Sequence, residues 1–120
     1  MKINKKLFGA FLLLFLGFTT AYAQENEPKV KTVEFEVKGV CEMCKERIET
    51  AALVKGIRFA EWNQEKQILK VIFKTKLANE IDVHKAVAEA GHDTPKIKAK
   101  DETYKTLPAC CAYRNGVESH

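Results

Sequence analysis

Proline, histidine and tryptophan are scarce: three, three and one in 120 residues. The prolines, Pro28, Pro95 and Pro108, lie in the leader, after the second helical stretch and in the tail. With so few histidines there is no imidazole-rich metal site. His84 stands at no ligand spacing to anything and reads as surface, and His120 is a chain end. No apolar run is long enough to span a bilayer: the longest, Leu7 to Phe18, has 12 residues, where a span needs about 20. Surplus charge is missing too. The formal charge is +4, but Lys2, Lys5 and Lys6 lie in a first segment without acids, and without them it falls to +1. With no clustered basic and aromatic residues either, nucleic acid is not an expected partner.

That first segment has its own logic. A basic start, the apolar run and then Ala21-Tyr22-Ala23 have the order of a secretory signal, with cleavage expected after Ala23. An uncleaved anchor is the alternative. No cysteine lies near the cut, which argues against a lipid anchor. Residues 1–23 are thus expected to be removed and the mature chain to be periplasmic or secreted. The 97 residues that remain suffice for one compact domain.

Those 97 residues carry four cysteines: Cys41 and Cys44, three positions apart, and the adjacent Cys110 and Cys111. Exported proteins often pair their cysteines. Here, however, a bridge within either pair closes a very short loop and constrains the unfolded chain little. A bridge from one pair to the other stays open.

Periodicity orders the rest. Residues 24–31 are a polar leader. From Thr32, Val33, Phe35 and Val37 alternate with Glu34, Glu36 and Lys38, the period of a half-buried strand. Gly39 breaks it. Met43 to Val54 repeats Cys44, Ile48 and Ala51-Ala52 at helical spacing, with Gly56 as its stop. Ile57 to Trp62 and Gln67 to Lys74 form a hairpin around Asn63-Gln64-Glu65-Lys66. A second helix is expected over Asn79 to Ala90, with Val83, Val87 and Ala90 inward and Gly91 as its stop, and a last strand over Thr94 to Lys100. The expected fold class is α+β: a ferredoxin-like β-α-β-β-α-β domain over residues 32–100, its four-stranded antiparallel sheet covered by two helices on one face. Residues 101–120 form a tail.

Residues 32–100 resemble a heavy-metal-associated domain, the module of copper chaperones, copper-pumping ATPase extensions and periplasmic mercury-binding proteins. The resemblance rests on Val37-Lys38-Gly39 closing the first strand, on Cys41-Glu42-Met43-Cys44, on Ile48-Glu49, and on the turns at Lys55-Gly56-Ile57 and Ala90-Gly91-His92-Asp93. One departure stands out: the family usually has a buried methionine two residues before the first cysteine, where this chain has Gly39. The tail's Leu107-Pro108-Ala109-Cys110-Cys111 resembles that of some small exported bacterial members more weakly.

Two thiolates on one loop suit a soft ion in low coordination. Cu(I) is the first expectation and Hg(II) the second, while Zn(II) prefers four ligands. Cys41 is expected to be the exposed ligand and Cys44 to be tucked into the first helical turn, where the amide dipoles favour its anion. Lys45 either offsets the charge of a dithiolate site or is a solvated helix residue, and Met43 either lends a thioether or covers the core. His92, in the turn beside the loop that the resemblance implies, is a possible third ligand, or else a half-exposed turn residue. Cys110 and Cys111 could complete that site, bind a second ion, bridge two molecules through metal, or stay in an uninvolved tail. Tyr104, Leu107 and Tyr113 could pack the tail onto the sheet. The resemblance implies a carrier that captures an ion and hands it to a transient protein partner, such as a membrane metal transporter, and not an enzyme. Two rivals from other classes remain. One is a thiol–disulfide redox protein, although no proline stands where a thioredoxin-like site needs one. The other is a disulfide-stabilised adaptor.

Overall fold

The computed structural model describes residues 28–115, so the expected signal segment, most of the leader and His120 lie outside the described residues. Strand β1 covers Val30–Glu36, α1 Glu42–Ala52, β2 Ile57–Asn63, β3 Ile68–Lys74 and α2 Glu80–Glu89. A short helix α3, Asp101–Tyr104, and two 3-10 turns, Ala109–Cys111 and Tyr113–Asn115, follow.

Alternation along the strands sorts side chains as the period of two requires. Phe35, Leu69, Val71, Phe73 and Trp62 are buried, while Glu34, Glu36, Lys70 and Lys74 remain exposed. In the antiparallel register Phe35 and Trp62 both lie opposite Leu69 on the central strand β3. Glu34 and Glu61 flank Lys70 on the outer face, an arrangement of opposite charges that favours this register. Helix α1 buries Ile48 and Ala52, and α2 buries Val83 and Val87, all in one core with the inward strand residues. Ala88 is buried beside them, whereas Ala90 is only half-buried. At the start of α2 the Asp82 carboxylate accepts the Asn79 N–H at 2.9 Å, satisfying a donor the helix leaves free.

The expected fourth strand is not formed. Among the described residues the sheet has three strands in the order β1-β3-β2. Residues 94–100 spend their polar groups locally instead. The Thr94 hydroxyl accepts the N–H of Ile97 at 3.0 Å, the Thr94 N–H donates to Ile97 O at 2.9 Å, and the Asp93 carboxylate takes the N–H of Ala99 at 2.8 Å. Such side-chain turns compete directly with a ladder, and Pro95 has no N–H to offer one. The Lys38 N–H donates to Asp93 O at 3.1 Å, tying the start of this stretch to the end of β1.

His84, expected at the surface, is wholly buried. Its ring stacks on Phe35 with centroids 3.8 Å apart, and its two nitrogens meet the Thr94 hydroxyl at 2.7 Å and the Glu80 carboxylate at 2.9 Å. With both polar atoms partnered, the imidazole is accommodated in the core.

Helix α2 ends in the reciprocal bonding of a Schellman motif. Gly91, at φ +107°, donates to Ala88 O at 2.9 Å, and His92 N–H reaches Val87 O at 3.2 Å. A Cβ on Gly91 would also meet Leu107 of the tail at 2.9 Å. The same glycine thus closes the helix and admits the tail.

Candidate metal centre

The loop from Val37 to Cys41 is held by the β2–β3 turn. Gln67 O accepts the Val37 N–H at 2.9 Å, the Gln67 side chain accepts the Gly39 N–H at 3.0 Å, and Gln64 donates to Val40 O at 2.9 Å. Trp62 adds a bond from its indole N–H to Val37 O at 3.0 Å. The fully buried Trp62 ring also explains Gly39, because a Cβ there would stand 2.9 Å from Cζ2 and 3.0 Å from Cη2. Bulk at this point of the loop comes from the neighbouring strand.

Cys41 is the N-cap residue of α1 and Cys44 lies in its first turn. Their sulfurs are 3.7 Å apart. The structure brings a third sulfur to them: Cys111 Sγ lies 3.6 Å from Cys41 Sγ, and the three sulfurs fall within 4.8 Å of one another. Three sulfurs around one trigonal ion at about 2.3 Å would lie about 4 Å apart. Cys41 is therefore not the exposed ligand expected from the sequence. It is 7% exposed, covered by the 3-10 turn that carries Cys111, while Cys44 is fully buried. All four cysteines are free thiols.

Ionisation is divided unequally among them. Burial opposes a charge on Cys41, but the Cys44 backbone amide and the thiols of Cys111, Cys44 and Cys110 outweigh it, bringing its pKa from 9.0 down to about 7. Burial pushes Cys111 up to about 11, the Cys44 and Cys41 thiols add to the rise, and Arg47 works against it. Cys110 is raised, chiefly by its bond to Cys41. Charge is thus favoured on Cys41 and opposed on Cys110 and Cys111.

The cation beside the site is not Lys45. That ammonium donates to Glu49 at 2.7 Å and to Trp62 O at 2.8 Å, fastening α1 to β2. Arg47 takes the role instead, with Nη1 donating to Cys111 Sγ at 3.3 Å. Its signal in the sequence was faint: it follows Cys44 by three positions, which puts both on one side of a helix.

The tail does not lie on the sheet. It folds back over the turn after α2. The Tyr113 hydroxyl donates to Gly91 O at 2.7 Å and accepts the Asp93 N–H at 3.0 Å, and its ring stacks on His92. Arg114 donates to both Asp93 carboxylate oxygens, to Asp101 and to Ala99 O, and its guanidinium lies over the Tyr104 ring. This clamp sets Cys111 over the loop. Its charge partners stand 13 and 21 positions away in the chain, so no local pattern announced it.

His92 is buried, not half-exposed, and is not one of the atoms in the sulfur group. Its Nδ1 lies 2.7 Å from Lys38 O, which can only accept, so the proton is on Nδ1. Nε2 is then a bare, buried acceptor without a hydrogen-bond partner among the described residues. Burial, followed by the repulsion of Arg47, outweighs the Lys38 bond and the Asp93 charge and lowers this pKa to about 4.

No family model matches the sequence, and no curated protein matches it. Solved structures do. The CopZ metallochaperone superposes with a TM-score of 0.52 at 23% identity, over 53% of this chain and 98% of that one. A putative copper-ion-binding protein from Bacillus anthracis str. Ames gives 0.51 at 16%, over 54% and 94%. The N-terminal domain of a potential copper-translocating P-type ATPase from Bacillus subtilis, in its Cu(I)-loaded state, gives 0.51 at 27%, over 54% and 84%. The first two establish a shared fold. The neighbours are heavy-metal-associated domains of the copper-chaperone and copper-ATPase kind, and the Cys-x-x-Cys group on which the resemblance rests is present here. Each covers most of its own chain but about half of this longer one.

Proposed function

We propose that this chain is an exported carrier that captures Cu(I) with Cys41 and Cys44, closes the site with Cys111, and hands the ion to another protein. One observation carries this reading: three cysteine sulfurs within 4.8 Å of one another, in a fold shared with copper-binding domains. Soft thiolates in a three-sulfur set suit Cu(I). Hg(II) is accommodated by the same softness, whereas Zn(II) would need a fourth ligand. The partner that fits is a membrane metal transporter or another thiol-bearing donor or acceptor. Withdrawal of Cys111 would free a position for the partner's thiolate, so the ion could change hands while still held by Cys41 and Cys44. A metal-bridged dimer is the alternative assembly. The metallochaperone among the structural neighbours supports carriage over catalysis.

Metal content after native purification, followed by competitive titration with Cu(I), Zn(II) and Hg(II), tests the reading. Stoichiometric Cu(I) uptake abolished in Cys41→Ser and in Cys44→Ser is expected, and uptake unchanged in both would overturn it. An exported chain beginning at Gln24 is expected by mass, and retention of residues 1–23 would overturn that part. The lowered pKa of Cys41 favours a second reading, thiol–disulfide exchange. Insulin-reducing activity that survives metal loading would support it over the first.

A further inference from the structure

The sulfur atoms do not end at the three already described. Cys110 Sγ lies 4.0 Å from Cys111 Sγ and 3.6 Å from Met43 Sδ, although Met43 and Cys110 are 67 positions apart. Met43, Cys110, Cys111, Cys41 and Cys44 therefore form one series, with successive separations of 3.6, 4.0, 3.6 and 3.7 Å. It leads from the surface, where Met43 is 50% exposed, to the interior, where Cys44 has no exposed area. Met43 thus does not cover the core. It stands at the N-terminal turn of α1 with its sulfur directed at a thiol.

We propose that Met43, Cys110 and Cys111 form a second soft-ion site that shares Cys111 with the first, so that one chain holds two Cu(I) ions. The proposal rests on the Cu(I) reading above. Its two known edges, 3.6 and 4.0 Å, match the separation of about 4 Å that three sulfurs adopt around one trigonal ion. A thiolate keeps enough lone pairs to bridge two cations, so Cys111 can serve both. The donor set is selective: a neutral thioether is accepted by Cu(I) and its congener Ag(I), and is a poor ligand for Zn(II). The outer ion has only one thiolate of its own and one it shares, and it lies nearest the solvent. It is the weaker-bound of the two and the first to transfer.

The test uses all 120 residues, titrated anaerobically with Cu(I), and in parallel with Ag(I), against a chromophoric chelator, with ions per chain counted by native mass spectrometry. Two ions on the monomer are expected. The Met43→Leu/Cys110→Ser double variant should hold one, with the affinity of the inner ion within about threefold of the parent and the outer ion weakened more than a hundredfold. Saturation of the parent monomer at one ion would overturn the proposal. So would a second ion that persists in the double variant, or one that occurs only in dimers. Absence of any bound ion would instead overturn the carrier reading itself, and the outer site with it.

Discussion

Arg47 donates from Nη1 to Cys111 Sγ at 3.3 Å across 64 positions of sequence. The helix that presents Cys44 thus also presents the cation that steadies the sulfur arriving from the tail. Burial alone would keep Cys111 protonated, and Arg47 is the one influence that opposes the rise. A ligand must lose its proton to bind, so metal affinity depends on this pairing.

In Arg47→Gln, Cu(I) affinity at pH 7 should fall roughly tenfold, the equivalent of one further unit on the Cys111 pKa. The deficit should narrow as pH rises, and Arg47→Lys should recover part of it. Competition against a chelator across pH measures this. Equal affinities in the parent and Arg47→Gln would show that Arg47 does not act on the site.

Gly39 and Trp62 fill one space between them. Gly39→Ala forces a Cβ to within 2.9 Å of the indole and 3.1 Å of Cys44 Cβ. The cost expected in denaturant unfolding is about 1–3 kcal/mol, typical of an overpacked core. In a Trp62→Leu background that cost should largely vanish. The same cost in both backgrounds would place the conflict elsewhere, and a double-mutant cycle reads the difference directly.

His92 makes stability depend on pH. Its pKa is about 4 in the native protein against an ordinary 6.5, so between those values the unfolded chain takes up a proton that the native one refuses. Its contribution is whole above about pH 6.5 and is lost as pH falls toward 4, a total on the order of 3 kcal/mol. Unfolding midpoints measured from pH 7.5 to 4 should fall more steeply for the parent than for His92→Gln. Parallel profiles would show that His92 titrates normally.

Arg114→Ala should release the tail. The lost pair with Asp93, mostly shielded from water, should lower stability by about 2–4 kcal/mol. Alkylation of Cys111 should accelerate at least tenfold while Cys44 stays protected inside α1. Unchanged protection of Cys111, followed by peptide mass mapping, would mean that Tyr113 and Leu107 hold the tail without the guanidinium.

Much of this was legible along the chain. Alternation at Val33, Phe35 and Val37, and again at Leu69, Val71 and Phe73, sorts side chains by face without reference to any partner. Helical spacing placed Ile48, Val83 and Val87 inward for the same reason. Gly91 marked the end of α2 because its backbone angle is one that most residues resist. Residues 94–100 misled because a short run of the right composition does not reveal that Thr94 and Asp93 will capture its amides. His84 misled because a lone histidine looks polar until both of its nitrogens are paired.

The sequence by itself determined the loop thiols: a strand, a break and a helix start place Cys41 and Cys44 on one turn whatever surrounds them. Tertiary structure alone decided that Cys111, Cys110 and Met43 join them, that Arg47 and not Lys45 faces the sulfurs, and that Cys41 is covered. Local patterns encode what the backbone period repeats within a few residues. The tail's return is set by Arg114, Tyr113 and Leu107 meeting Asp93, Gly91 and Ala99. Pairings over that distance acquire their energy only once the domain has folded and brought both sides together.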